Sequence, residues 1–224
     1  MTLNARAWLA FVVLTVVMGA LLFGPAGTTR YWQAWVYIGI YVAASIPTMR
    51  YLVRKDPALL ERRMRGGPMF EKERTERIIM TFTSLGFIAL LVVPALDRRF
   101  GWSTVPVWAV VLGDILVAIG YYFILLVYRV NSYTASTIQV VPGQTVISTG
   151  PYAIVRHPMY ASGSLYIFGT PLALGSYWGF LAIAAMMPFL LWRLLDEERI
   201  LTRDLPGYAE YRQRVRHRLV PMIW

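Results

Sequence analysis

The 224-residue chain contains no cysteine and only two histidines, His157 and His217. Without thiols there is no disulfide, no thiolate nucleophile and no cysteine-ligated zinc, and two imidazoles make a metal centre a poor expectation. Charge is scarce as well, at 15% of residues. No Gly-x-Gly-x-x-Gly run follows a strand pattern, so a soluble Rossmann-type domain is excluded. Neither an internal repeat nor a low-complexity tract is visible.

What the chain has instead is apolar surface: 57% of residues are hydrophobic and the mean hydropathy is +0.51. That balance belongs to integral membrane proteins. The net charge of +10 would point to nucleic acid if the basic residues gathered on one soluble face. They are sorted by loop instead, so no nucleic-acid partner is expected.

Uncharged runs cover 7–29, 31–49 and 78–96, each near the roughly 20 residues that a spanning helix needs. The first is too long for the apolar region of a cleavable leader and reads as a span. A fourth, about 104–128, is interrupted only by Asp114. The run 158–192 is 35 residues long, about 50 Å as one helix, which overshoots a core of about 30 Å. It must fold back, and "LGSYWG" at 174–179 supplies glycines for the break and aromatics for the interface. The expected fold is therefore all-α: a multi-pass membrane bundle of four spans, a C-terminal helical hairpin and an interfacial amphipathic helix.

Placing both termini in the cytoplasm leaves 19 of the 22 basic residues inside and only Arg30, Arg98 and Arg99 outside, as positive-inside sorting requires. Three inside segments are then long. Residues 54–77 mix both signs of charge around Gly66-Gly67-Pro68 and read as a solvated elbow lying on anionic headgroups. Residues 129–157 are rich in Asn, Ser, Thr, Gln, Gly and Pro yet carry hardly any charge, which suits ligand contacts better than a solvated linker. In the tail, Tyr208, Tyr211, Val215 and Leu219 recur at helical spacing between arginines, so an amphipathic helix is expected there.

The hairpin brings both of its inner ends together with the 129–157 loop. Gln139, Gln144, Tyr152, Arg156, His157, Tyr160, Arg193, Glu197 and Glu198 should converge in a pocket between cytoplasm and lipid. Each has a plainer reading. Arg193 and Glu197 are spaced for a simple i,i+4 ion pair, Arg156 for a helix-end anchor, His157 for a helix start, and the tyrosines for an interface belt. Asp114 lies mid-span, where an acid needs a partner or a proton, and His217 reads as interfacial.

"GPYAIVRHPMY" at 150–160, "WRLLDEERIL" at 192–201 and "LPGYAEYRQRVRHRLVP" at 205–221 strongly resemble the isoprenylcysteine carboxyl methyltransferase family, in order and over roughly the last 90 residues. The resemblance implies a membrane enzyme that uses S-adenosylmethionine and releases S-adenosylhomocysteine. Residues 129–224 would form the catalytic region, and helices 1–128 the side that receives a lipophilic or lipidated substrate from the bilayer. It further implies cofactor contacts at Gln139, Gln144, Thr145, Val146, Ile147, Tyr152, His157, Pro158, Met159, Tyr160 and Glu197. Arg193 would face an acceptor carboxylate, and Arg193 and Glu197 would be the catalytic pair. Gln144 stands where the family usually has His. Two relatives of this architecture remain as alternatives: phospholipid N-methyltransferases and NADPH-dependent sterol-type reductases, the latter usually carrying Asn-Tyr where this chain has "RHPMY".

Overall fold

The computed structural model describes residues 1–71 and 73–224, and among them it is all-helical. Helix α1 (Leu3–Ala26) starts at the Thr2 hydroxyl, which accepts from Ala5 N, and stops at Gly27 with φ 65°. Helix α2 (Trp32–Lys55) runs back and ends at Asp56, whose carboxylate caps α3 (Pro57–Met64) by accepting from Leu59 N at 2.9 Å. A single 3₁₀ turn at Pro68–Phe70 leads into α4 (Arg74–Phe100), which ends at left-handed Gly101. Helix α5 (Val107–Val130) returns, and the hairpin follows as α6 (Pro158–Ala173) and α7 (Gly179–Asp204). The expected break at 174–179 is present, turning at Gly175 with φ 70°. Helix α8 (Tyr208–Arg214) closes the order.

Five helices, α1, α2, α4, α5 and α7, are long and apolar enough to cross a membrane. This is an integral membrane protein. With 16 residues, α6 is about 24 Å long, and it is held in the bundle by its neighbours. Its seam with α5 is built from small residues: a Cβ on Gly113 would lie 2.3 Å from Ala173 N, and one on Gly120 2.8 Å from Tyr166 N. Only glycine lets two backbones approach so closely, the usual packing device where lipid offers no hydrophobic drive between helices. Tyr37 bridges α2 to α6 by hydroxyl contacts of 2.9 Å with Tyr166 and 3.0 Å with Thr170.

At the end of the bundle away from the long loops, Asp97 is 1% exposed. It accepts from Ser103 N and Oγ and from Ser176 Oγ, so α4 is latched to the α6–α7 turn. Tyr31 donates to Leu174 O at 2.6 Å and adds the start of α2 to the same knot.

Two expectations need correction. The tail helix stops at Arg214 rather than running through Leu219, and Tyr208 and Tyr211 are buried against Val140, Val146 and Leu201 instead of facing lipid. The chain leaves the helix because Val215 and Arg216 give their carbonyls to Arg156 and the following residues pair with 156–157. Nor is the 54–77 elbow merely solvated. Leu59, Leu60, Glu71 and Glu76 are buried, drawn in by packing and by a basic partner on α7.

Candidate active site

Between α4, α6, α7, the 131–147 loop and the tail lies a cavity of about 430 Å³, within the range of small-molecule sites. All twelve residues implied by the resemblance line it: Gln139, Gln144, Thr145, Val146, Ile147, Tyr152, His157, Pro158, Met159, Tyr160, Arg193 and Glu197; of the other two residues expected to converge there, Arg156 lines it and Glu198 does not. The loop reaches them by local chemistry. Asn131 ends α5 and accepts from Tyr133 N, an Asx turn. Gly150, at φ 57°, turns the chain into the 3₁₀ segment Gly150–Ala153. His157 then sits just before Pro158, which opens α6 with a ring suited to a first helical position.

The wall is rigid. Tyr152 receives a bond from Asn131 Nδ2 at 2.8 Å on its hydroxyl and one from the Tyr211 hydroxyl at 2.7 Å on its carbonyl. Burial pushes the Tyr152 phenol well above its ordinary range, against the smaller opposing effect of Asn131, so it stays protonated at neutral pH. Tyr160 donates to Glu197 Oε2 at 2.8 Å. Arg156 is buried and donates to Glu198 Oε1 at 2.7 Å. His157 Nε2 lies 3.2 Å from the same oxygen, and Arg218 Nε is 2.9 Å from Glu198 Oε2. Arg156 N and His157 N donate to the carbonyls of His217 and Arg218, which straps the tail over the site.

Arg193 is differently placed from the sequence expectation. It lines the cavity, but its Nη1 donates to Glu76 Oε2 at 2.6 Å and its Nη2 to Glu71 Oε1 and Ser136 O at 2.9 Å. The two-pronged grip expected for an acceptor carboxylate is thus made with two carboxylates of the elbow. The i,i+4 pair with Glu197 is not formed either, since Glu197 takes its bond from Tyr160.

Sequence reasoning missed several wall residues: Arg63 from α3, Thr83 from α4, Asn131 from the loop, and Tyr208 and Tyr211 from α8. A signal existed for the last two, which belong to the tail motif but were assigned to the membrane surface. Nothing marked the elbow acids, because a mixed-charge run looks the same whether solvated or folded inward. Asp114 and His217 are absent from the lining. Asp114 is partly buried on α5 with Oδ1 unpartnered among the described residues.

Residues 108–206 match the phospholipid methyltransferase family, which shares a clan of membrane methyltransferases with the isoprenylcysteine enzymes. Over that stretch the chain is similar to the membrane methyltransferases. No curated protein matches it. The matched stretch runs from the start of α5 to the end of α7 and contains all twelve expected wall residues. Members of the family generally take their methyl group from S-adenosylmethionine. The wall offers polar groups to such a ligand: Tyr208 lines the cavity with its hydroxyl buried and unpartnered among the described residues, and Gln139 and Gln144 also line it.

Proposed function

We propose that the cavity holds S-adenosylmethionine against the 139–160 wall and that the acceptor is the amine of a phospholipid headgroup entering from the bilayer. Bound there, the cofactor supplies a methyl group on a cationic sulfur for in-line displacement. The chain's own share is alignment and exclusion of water, which together can contribute about 7–11 kcal/mol. Tyr152 and Tyr160 offer aromatic faces to a cation, each contact being worth about 0.5–2 kcal/mol. On the bilayer side Met80, Phe87, Ile167, Met187 and Leu190 give an apolar wall for acyl chains.

The observation that carries the amine reading is the engagement of Arg193. Glu71 and Glu76 already hold that guanidinium from outside the lining, and Glu197 is the acid that the lining itself presents. An incoming carboxylate therefore finds Arg193 engaged, whereas an amine can meet Glu197. Arg63, whose Nη1 donates to Ala135 O and which has no carboxylate partner among the described residues, is available to a headgroup phosphate. Glu197 is the acid in the lining, and its Oε1 would receive the proton that an ammonium must lose before its lone pair attacks. The carboxylate-acceptor reading implied by the isoprenylcysteine resemblance survives as the second possibility, with Arg63 in place of Arg193 as its cation.

The test is incubation of the purified protein, in discs containing phosphatidylethanolamine and a prenylcysteine analogue, with methyl-labelled S-adenosylmethionine. Label is expected in base-stable methylated phospholipid, and Glu197→Gln is expected to lower the rate at least about a hundredfold. Label found only in a base-labile ester would sink the amine reading.

A further inference from the structure

On a different face of α7 from the cavity, Arg199 and Arg203 of α7, Arg212 of α8 and Arg218 of the tail surround an open cleft. Their neutralisation is thin. Arg203 pairs with its neighbour Asp204, and Arg199 with Asp196 at 3.3 Å, through exposed side chains; such pairs hold weakly against a competing anion. Arg212 Nη1 donates only to a hydroxyl, that of Thr202. Arg218 reaches Glu198 through Nε. Leu195 of α7 lines the cleft and is exposed, and Trp192 one turn before it on α7 and Met222 and Ile223 of the tail are exposed apolar residues as well. Apolar side chains beside weakly paired arginines, where a span leaves its lipid, mark headgroup depth.

The geometry points to a site for the phosphate of an anionic lipid headgroup, whose occupancy tightens the cavity on the other face of α7. One phosphate in the cleft bridges α7, α8 and the tail. Those are the elements that close the cavity, through Tyr208, Tyr211 and Leu219 in its lining. Glu198 joins the two sites in a single side chain: Oε2 contacts Arg218 in the cleft, while Oε1 contacts Arg156 and His157 in the cavity wall. A lipid that fixes Arg218 therefore fixes the tail strap whose carbonyls hold the backbone of 156–157. Coupling of this kind is reciprocal, so a filled cavity must also strengthen the grip on the lipid. The lipid site stands on the cleft alone, whereas the effect on cofactor rests on the function proposed above.

The experiment compares the whole protein with an Arg199→Ala/Arg212→Ala variant in discs of phosphatidylcholine, with and without phosphatidylglycerol. Native mass spectrometry reads bound lipid, calorimetry reads S-adenosylhomocysteine affinity, and hydrogen exchange reads residues 208–219. Expected for the wild type are phosphatidylglycerol binding about tenfold tighter than in the variant, cofactor affinity raised about fivefold by that lipid, and slowed exchange in the tail. In phosphatidylcholine alone the two proteins should bind cofactor equally. Equal lipid binding by both proteins, or displacement of the lipid by millimolar inorganic phosphate, overturns the headgroup site. Unchanged cofactor affinity with the lipid bound overturns the coupling. Should no nucleoside bind in any disc, the cofactor reading fails by itself; the tail exchange then decides, and exchange indifferent to lipid overturns the strap.

Discussion

Arg193 shows how a buried charge decides between structural and chemical roles. Its partners Glu71 and Glu76 are both nearly inaccessible, and a buried carboxylate stripped of its cation is far more costly than a pair removed together. Arg193→Ala is therefore expected to cost about 3–5 kcal/mol, seen as a large drop in thermal midpoint in detergent. Adding Glu71→Gln and Glu76→Gln to it should restore much of that loss. A residue that only gripped substrate would behave otherwise, losing transfer while the midpoint stayed put. Tyr160 and Glu197 form the complementary case, a hydrogen-bonded pair in the wall that is held by one contact of 2.8 Å and left open to a ligand on its remaining atoms.

At the scale of helices, the closest approach in the bundle is the α5–α6 seam, and it dictates where α6 can present His157 and Tyr160. Gly113→Leu places a branched side chain where a Cβ already meets Ala173 N, Gly169 O and Leu172 Cβ inside 3 Å. The helices must part, and the expected outcome is loss of the monodisperse folded protein in size-exclusion chromatography. An unaltered profile would mean that the seam yields without consequence. The spans and the hairpin break were legible beforehand because lipid imposes a length on apolar runs and Gly175 interrupts one that is too long. The wall residues from 139 to 160 were legible through motif order. The elbow and tail were not. Their positions depend on pairings between residues far apart in sequence, Arg193 with Glu71 and Glu76, and Arg156 with the carbonyls of 215 and 216. No local pattern encodes such pairings, and an amphipathic period in the tail reads equally well against lipid or against protein.

For the molecule as a whole, the bundle places the α1–α2 turn and the tail at opposite ends. By the loop asymmetry of Lys and Arg, we propose that the tail end faces the cytoplasm. Because the chain has no native cysteine, single introduced thiols report this without interference. Thr29→Cys in the α1–α2 turn is expected to react with an impermeant maleimide on intact cells, and Gln213→Cys in α8 only after permeabilisation. The reverse pattern would invert the orientation and put the cavity on the other side of the membrane.

The Asp97 knot then acquires a mechanical meaning. Serines 103 and 176 and the Tyr31–Leu174 bond join α2, α4 and the hairpin turn at one end, while the opposite end is where molecules must come and go. Helices pinned this way behave as the arms of tweezers: over the roughly 24 Å of α6, a tilt of about 5° at the fulcrum spreads the tips by roughly 2 Å. Under the proposed function, a small rotation there would widen the cavity end, and the stiffness of that distant joint would set how readily the jaws part.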